Sequence, residues 1–495
     1  MLFNSYQFLV FFPIVLLFYF ALPSKMKYIW LLAVSYYFYM SWNPVYVLLM
    51  LASTLVTWVT GIGVYWLKNR KNVKGPKILL LLCLIFNLGI LFIFKYLDFS
   101  VTIINKLFQY VDLPIIVNSF NLLLPVGISF YTFQALGYLI DVYRGMKPES
   151  NILKYALFVS FFPQLVAGPI ERSKNLLTQI QEMGYRKLWN KKKVTSGLIY
   201  MLWGYFLKMI IADRVAILVD QVWDSYWTYG SIALIVASVG FSIQIYCDFS
   251  SYSCIAIGAA QIMGFNLMEN FNAPYFSRSI KEFWRRWHIS LSTWFRDYLY
   301  IPLGGSRCSR LKRYRNLLIT FLVSGLWHGA GLGYIVWGGI HGGYQIIGEV
   351  LQPFREKITP IIGITPDSIT HKIGKVLGNF ILVNFAWIFF RAGGFRTAIY
   401  YISGICNRWD PWTIWDGTLY QLGLSAYEMN ILFIALLLLL FVDLVRCKSG
   451  KRIDVFLREQ GVLVQILFIV IMILSILIYG KYGEYNERQF IYFQF

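Results

Sequence analysis

Apolar runs of membrane-crossing length recur along the whole chain, near residues 7–22, 28–42, 44–67, 78–95, 120–141, 153–169, 196–219, 231–262, 317–348, 373–391, 430–446 and 461–479. A helix needs about 20 predominantly apolar residues to cross the hydrocarbon core of a bilayer. The runs 231–262 and 317–348 are too long for simple crossings, and several others are short or joined by only a few residues. Tilted, broken or re-entrant segments are therefore expected, with irregular backbone at membrane depth only where protein or a water-filled cavity surrounds it. The pattern predicts an all-α polytopic membrane protein with about 11 spanning helices plus re-entrant and interfacial pieces. Composition agrees. A soluble chain of 495 residues would form roughly two to four domains. With 58% hydrophobic and 14% charged residues and a mean hydropathy of +0.58, this one lies far to the apolar side of ordinary globular usage. Its 35 Tyr and 17 Trp suit a protein with many membrane–water interfaces.

The 45 Lys and Arg outnumber the 24 Asp and Glu, for a net charge of +21. Nucleic acid is disfavoured as the partner because the basic residues fall in short loops between apolar spans, where they meet anionic headgroups of membrane lipids instead. Positive loops stay cytoplasmic. One such loop holds Lys68, Arg70, Lys71, Lys74 and Lys77; a second holds Arg172, Lys174, Arg186, Lys187 and Lys191 to Lys193. The segment Arg278 to Arg315 is the most basic, and Arg446, Lys448, Lys451 and Arg452 form the last loop. Three spans before the first loop and one after the last place both termini outside the cytoplasm. The first run, "FLVFFPIVLLFYFAL", has no preceding basic residue and no small-residue cleavage site, and is expected to be a retained span rather than a signal peptide. The six cysteines, at 83, 247, 254, 308, 406 and 447, show no C-x-x-C spacing and suggest neither a disulfide framework nor a metal site.

Three of the four histidines lie between Phe283 and Gly343, in "FWRRWHISLSTWFRDYLYIPLGG" and "NLLITFLVSGLWHGAGLGYIVWGGIHGG". His328 sits well inside an apolar run, where an ionisable side chain is costly and so a functional candidate. Its imidazole suits a general base near neutral pH, and the glycines after it allow close approach of backbone or ligand. The bland alternative is a buried histidine satisfied by a neighbouring helix. His288 follows a stretch mixing Trp284, Trp287, Trp294 and Phe295 with Arg285, Arg286 and Arg296, a pattern expected of a helix lying at the headgroup level over 276–300; residues 179–194 form a second amphipathic piece. His341 follows His328 by 13 residues, which on a continuous helix is about 20 Å of rise and the opposite face. Unless the glycines break that helix, the two share no site, and His341 is a bystander. His371 follows a polar loop and is expected at the surface.

Asp248, Asp141, Arg144, Glu171, Arg172 and Arg391 are further polar groups in or beside apolar runs. Asp248 is a candidate for lining a catalytic space or, equally, for pairing with an arginine. The H-E-x-x-H, P-loop, G-x-S-x-G and dinucleotide-binding signatures are absent from the sequence. That removes support for a zinc hydrolase, an ATP-driven pump and a serine acyl-enzyme. A polysaccharide or lipid transporter, with broken helices and a charge at mid-membrane, stays open.

Seven stretches sharpen the reading: "LLPVGISFYTFQALGYLIDVYRG" (123–145), "FFPQLVAGPIER" (161–172), "YCDFSSYSCIAIGAAQIMGFNLMENFNAPY" (246–275), "EFWRRWHISLSTWFRDYLYIPLGG" (282–305), "GLWHGAGLGYIVWGGIHG" (325–342), "WIFFRA" (387–392) and "FIYFQF" (490–495). Through them the chain resembles the membrane-bound O-acyltransferase superfamily, in the bacterial branch typified by the alginate O-acetyltransferase membrane subunit. The resemblance runs nearly end to end. It departs at Ser251 and Cys254, where the family commonly reads "DFSGYSDMAIG". The D-alanyl transfer branch acting on teichoic acid shares the Trp-His motif in outline.

The resemblance implies one membrane-embedded domain over 1–495, with a catalytic core near 120–392, built around a central tunnel open to cytosol and exterior. His328 matches the family's invariant histidine and His288 its second, donor-side histidine. Trp327, Asp248, Trp287 and Ser324 are the candidates for lining the tunnel, and Arg285, Arg286 and Arg296 for drawing the phosphates of the donor. The donor implied is cytosolic acetyl-CoA, with no tightly bound cofactor. On the outer side the resemblance implies an esterase-like, SGNH-type partner and a polysaccharide acceptor.

Overall fold

The computed structural model describes residues 1–112, 120, 122–166, 168–185, 189–361, 365, 368–482 and 490, and among them it holds helices and no strand. Arg186 and Lys187 of the second basic loop, and 491–495 of the terminal motif, lie outside the described residues. Among the described residues six helices are long and apolar enough to cross a membrane: Pro44–Asn69, Gly75–Lys95, Ser231–Ile262, Ile369–Ala392, Ala426–Ser449 and Val462–Tyr479. Other apolar runs fold as shorter or interrupted helices, which is where the expected count of about 11 and the helices observed part company. The run 153–169 becomes the nine-residue helix Ile152–Ser160 and a short turn at Phe162–Leu165. The run 317–348 divides into two helices, Arg310–His328 and Leu332–Val350. By contrast 231–262 is one uninterrupted helix of 32 residues, about 48 Å long at 1.5 Å per residue and mostly buried within the protein.

The chain divides into two compact units. The first comprises Met1–Leu198 with Ala256–Met268. It holds α1 (Tyr6–Ala21), α2 (Ser24–Met40), α3 (Val47–Asn69), α4 (Gly75–Lys95), α5 (Leu97–Tyr110), α6 (Ile128–Tyr143) and α7 (Ile152–Ser160). Where helices meet without a hydrophobic drive from water, small residues and interhelical hydrogen bonds hold them. Ser53 of α3 donates to Asn87 Oδ1 of α4 at 2.6 Å. The Tyr155 hydroxyl of α7 donates to Thr57 Oγ1 of α3 at 2.8 Å, and Ser35 Oγ of α2 accepts the Phe162 N–H at 3.1 Å. In the same unit Glu171 is buried and accepts from the Met268 N–H and from Asn175 Nδ2. Burial raises its carboxyl to about 7.

The second unit comprises Ile199–Ile255 and Glu269–Phe495. It holds the second half of α8 (Lys191–Phe206) and most of α10 (Ser231–Ile262), and between them α9 (Asp213–Asp224). There follow α11 (Ile280–Arg286), α12 (Ile289–Phe295), α13 (Arg310–His328), α14 (Leu332–Val350), α15 (Ile369–Ala392), α16 (Phe395–Asn407), α17 (Ala426–Ser449) and α18 (Val462–Tyr479). α8 approaches α10 at Gly204, where a Cβ would lie 2.8 Å from the Ser251 carbonyl oxygen. A π-helical turn at Leu207–Ala212 then carries Lys208 inward. α13 and α14 form a close hairpin. A Cβ at Gly325 would lie 2.2 Å from the Tyr334 carbonyl oxygen, and one at Gly338 only 2.3 Å from that of Phe321. α15 closes on the hairpin in the same way, with Gly333 against the Phe389 carbonyl oxygen.

Candidate active site

His328 is the last residue of α13. The chain then leaves the helix through Gly329, whose φ of −163° any residue could adopt. Glycine is required there for space, because a Cβ would lie 2.2 Å from the Tyr334 ring. The break turns the chain back into α14 and holds the imidazole at the carbonyl end of α13. That end of the helix dipole stabilises positive charge forming on a side chain. The ring is 3% exposed, walled by Trp327 at 4.9 Å, Trp337 at 5.1 Å and Phe390 at 5.5 Å between centroids.

His288 stands at the break between α11 and α12, with φ 42° and ψ 54°. A non-glycine residue in this left-handed region is uncommon, and such strain clusters at functional sites. It is fully buried, edge-on to Phe249 at 4.6 Å and 6.0 Å from Trp327. Its ring centroid lies 6.4 Å from that of His328. Burial pushes the His288 imidazole down to about 3, so it is neutral at physiological pH. The stretch 276–300 is thus no single helix at the headgroup level: it is two seven-residue helices with Trp287 and His288 fully buried between them. Its aromatic residues turn inward because rings are waiting for them. Trp287 packs against Phe271 at 5.0 Å, Trp387 at 5.2 Å and Phe283 at 5.4 Å.

Of the other candidates, Trp327 is buried and touches both histidines. Ser324 is buried one turn before His328 on α13, hence on the same face. Asp248 is buried and ion-paired with Lys208 at 2.6 Å; Lys208 also reaches Asp213 at 2.9 Å. Arg285 is exposed. Arg286 pairs with Glu282 at 2.7 Å, and Arg296, 59% exposed, with Asp297 at 2.8 Å.

The hairpin meets the condition under which His341 comes near His328. Because the helix does break at the glycines, His341 is fully buried and edge-on to Trp337 at 5.1 Å, the same ring that flanks His328. Its Nδ1 accepts the Trp284 Nε1–H at 3.3 Å, which leaves the neutral ring its proton on Nε2. Phe249, Trp337 and Phe390 were not singled out by sequence reasoning. The pairing of Gly325 and Gly329 with a following apolar helix was the available sign of a hairpin that would bring Trp337 back. His371 is half-buried near the start of α15. Among the described residues no three His, Cys, Asp or Glu side chains gather as a metal site.

The sequence pattern of the membrane-bound O-acyltransferase family matches residues 149–392, which include α11 to α15 and both His288 and His328. Over the whole length of both proteins the chain is 36% identical to the probable alginate O-acetylase AlgI of Pseudomonas putida. The chain belongs to this family. As a membrane-bound O-acyltransferase it is an enzyme and a multi-pass membrane protein. It is also 35% identical to the peptidoglycan O-acetyltransferase of Helicobacter pylori, over 82% of this chain and 80% of that one. The teichoic acid D-alanyltransferase of Bacillus subtilis is 30% identical over 45% of this chain and 58% of its own.

Proposed function

We propose that this O-acyltransferase moves an acetyl group from acetyl-CoA, taken at the cytoplasmic face, to the O-acetylation of an exported cell-surface polysaccharide. The observation that carries the reading is the pair of buried imidazoles 6.4 Å apart, drawn from two elements into one aromatic wall. His328 takes the proton of the incoming hydroxyl on a ring nitrogen while the hydroxyl oxygen attacks the acetyl carbonyl carbon. The C–S bond then breaks, and the thiolate of CoA leaves with the proton from His328, so ester and free thiol are formed with no change in the enzyme. A positioned base of this kind supplies about 10²–10⁴ in rate. His288, neutral and fully buried, holds the donor side of the same space. Trp327 and Ser324 line it, while Asp248 and Trp287 stiffen the packing around it.

Basic loops fix the orientation. Arg446 and Lys448 in the last turn of α17, with Lys451 and Arg452 after it, are held in the cytoplasm, as are Arg70, Lys71 and Lys74 between α3 and α4, so both termini lie outside. On that reading Arg285, Arg286 and Arg296 face the donor's phosphates at the cytoplasmic mouth of a tunnel, within a single catalytic core near 120–392. The acetyl group leaves on the outer side through an SGNH-type esterase-like partner to the polymer. The relatives named for alginate and peptidoglycan O-acetylation, matched over most of their length, support acetyl over D-alanyl transfer. The test is release of CoA thiol by wild type and His328→Ala with partner and acceptor present. Near-complete loss in the variant is expected, and wild-type turnover would overturn the base role. A D-alanyl carrier-protein thioester used as donor in place of acetyl-CoA would overturn the acetyl assignment.

A further inference from the structure

The left-handed backbone at His288 needs something to hold it, since a residue with a Cβ leaves that region at the first opportunity. The start of α12 poses a second problem. Its first N–H groups have no partner within the helix, and the residue at its N-cap, His288, supplies no capping oxygen. Both are answered by the segment that follows α10. The main-chain oxygen of Asn270 accepts the Ile289 N–H at 3.0 Å. Its side-chain Oδ1 accepts the Ser290 N–H at 3.3 Å and the Ser290 hydroxyl at 2.6 Å. Its Nδ2 donates to Ser253 Oγ at 3.0 Å, tying the amide to α10. Two residues on, the Asn272 N–H donates to the Arg286 carbonyl oxygen at 2.9 Å. The strand of chain from 270 to 272 thus grips the break on both sides, at Arg286 before Trp287–His288 and at Ile289–Ser290 after. Asn270 is 1% exposed, and Ser290 and Ser253 are buried with it.

We infer that Asn270 is a positioning residue for His288: its amide serves as the N-cap that α12 lacks and so fixes the imidazole against Phe249 and Trp327, within reach of His328. The inference rests on the reading that His288 works beside His328. With the cap removed, α12 regains helical or extended freedom at its first residue, and the cheapest relaxation is for His288 to leave the left-handed region, which swings its ring. Displacement of a reacting group by about 1 Å costs on the order of a hundredfold in rate. Aspartate keeps both acceptor positions, and Ser253 can turn its hydroxyl to donate to it. Glutamine carries the same amide one methylene too far.

The experiment compares Asn270→Ala, Asn270→Asp, Asn270→Gln and His288→Ala by CoA-thiol release as a function of acetyl-CoA concentration, alongside thermal stability in detergent. Asn270→Ala should lose about a hundredfold in kcat with KM for acetyl-CoA unchanged, and Asn270→Asp should restore most of the rate. Full activity of Asn270→Ala beside an inactive His288→Ala would overturn the inference and leave the role of His288 standing. Full activity of His288→Ala would overturn that role itself. Should the alanine variant fail to accumulate, equal activity of the Asp and Gln variants overturns the inference, because only one of them keeps the acceptor in place.

Discussion

Gly338→Ala puts a number on how closely the catalytic hairpin must fit. A Cβ at Gly338 would lie 2.3 Å from the Phe321 carbonyl oxygen and 3.4 Å from the Gly325 Cα. Both atoms are main chain, so neither can swing aside as a side chain could. Bringing the oxygen out to an ordinary contact near 3.4 Å takes about 1.1 Å, and α13 must move away from α14 to supply it. His328 sits two turns beyond Phe321 on the helix that moves, while Trp337, beside the new methyl, stays on the other. His288, on a third element, stays as well. The 5.1 Å approach of His328 to Trp337 and its 6.4 Å approach to His288 both change. An error of about 1 Å at a reacting group costs on the order of a hundredfold, so kcat should fall by about that factor while the protein still folds and inserts. The control is Gly343→Ala on the same helix, where a Cβ meets nothing within 4 Å. There, alanine improves helix propensity by about 1 kcal/mol, and activity should hold. The assay is thiol release from acetyl-CoA by detergent-purified protein with partner and acceptor present. Equal turnover by the two variants would refute the argument that hairpin spacing sets the geometry of the histidines.

Lys208→Met removes the cation that Asp213 and Asp248 share in a buried site; removing one partner of a buried pair costs about 3–5 kcal/mol. The yield of folded protein should drop, and adding Asp248→Asn should recover part of it, as monitored by size-exclusion in detergent. The His288 imidazole titrates near 3 in the folded protein, against about 6.5 when exposed. The unfolded chain therefore takes up this proton first, and its contribution to stability is lost progressively as the pH falls from about 6.5 toward 3. His288→Gln should flatten the decline of the melting temperature between about pH 6.5 and 4; an unchanged slope would count against burial as the cause. Arg285→Ala removes an exposed charge at the proposed donor mouth. KM for acetyl-CoA should rise, more so at low salt, with kcat unchanged; an unaltered KM would assign the residue to membrane orientation alone.

The residue pattern by itself determined the solvent. Apolar runs as long as those at 78–95 and 461–479, which the fold leaves largely uncovered, need a lipid solvent, so helices in lipid follow from composition and spacing before any contact is known. It also marked His328, because an ionisable ring in such a run carries a cost that a purely structural residue need not bear. The resemblance named the pairing of His288 with His328, yet forty residues of separation gave no physical ground for it. Only the tertiary structure placed the rings 6.4 Å apart, by a left-handed kink at 288 and a helix that stops at 328. The same holds for His341. On a continuous helix it faced away, and the turn at Gly329–Gly331 brought it behind Trp337. Nor did the sequence point from Asp248 to Lys208, which the π-helical turn at Leu207–Ala212 brings to it. Periodicity and burial cost act residue by residue and can be read along the chain. Where a helix breaks and which backbone another may approach depend on whether the space left by a missing Cβ is occupied, as it is at Gly325, Gly329 and Gly338, and that is decided by the neighbour across the gap.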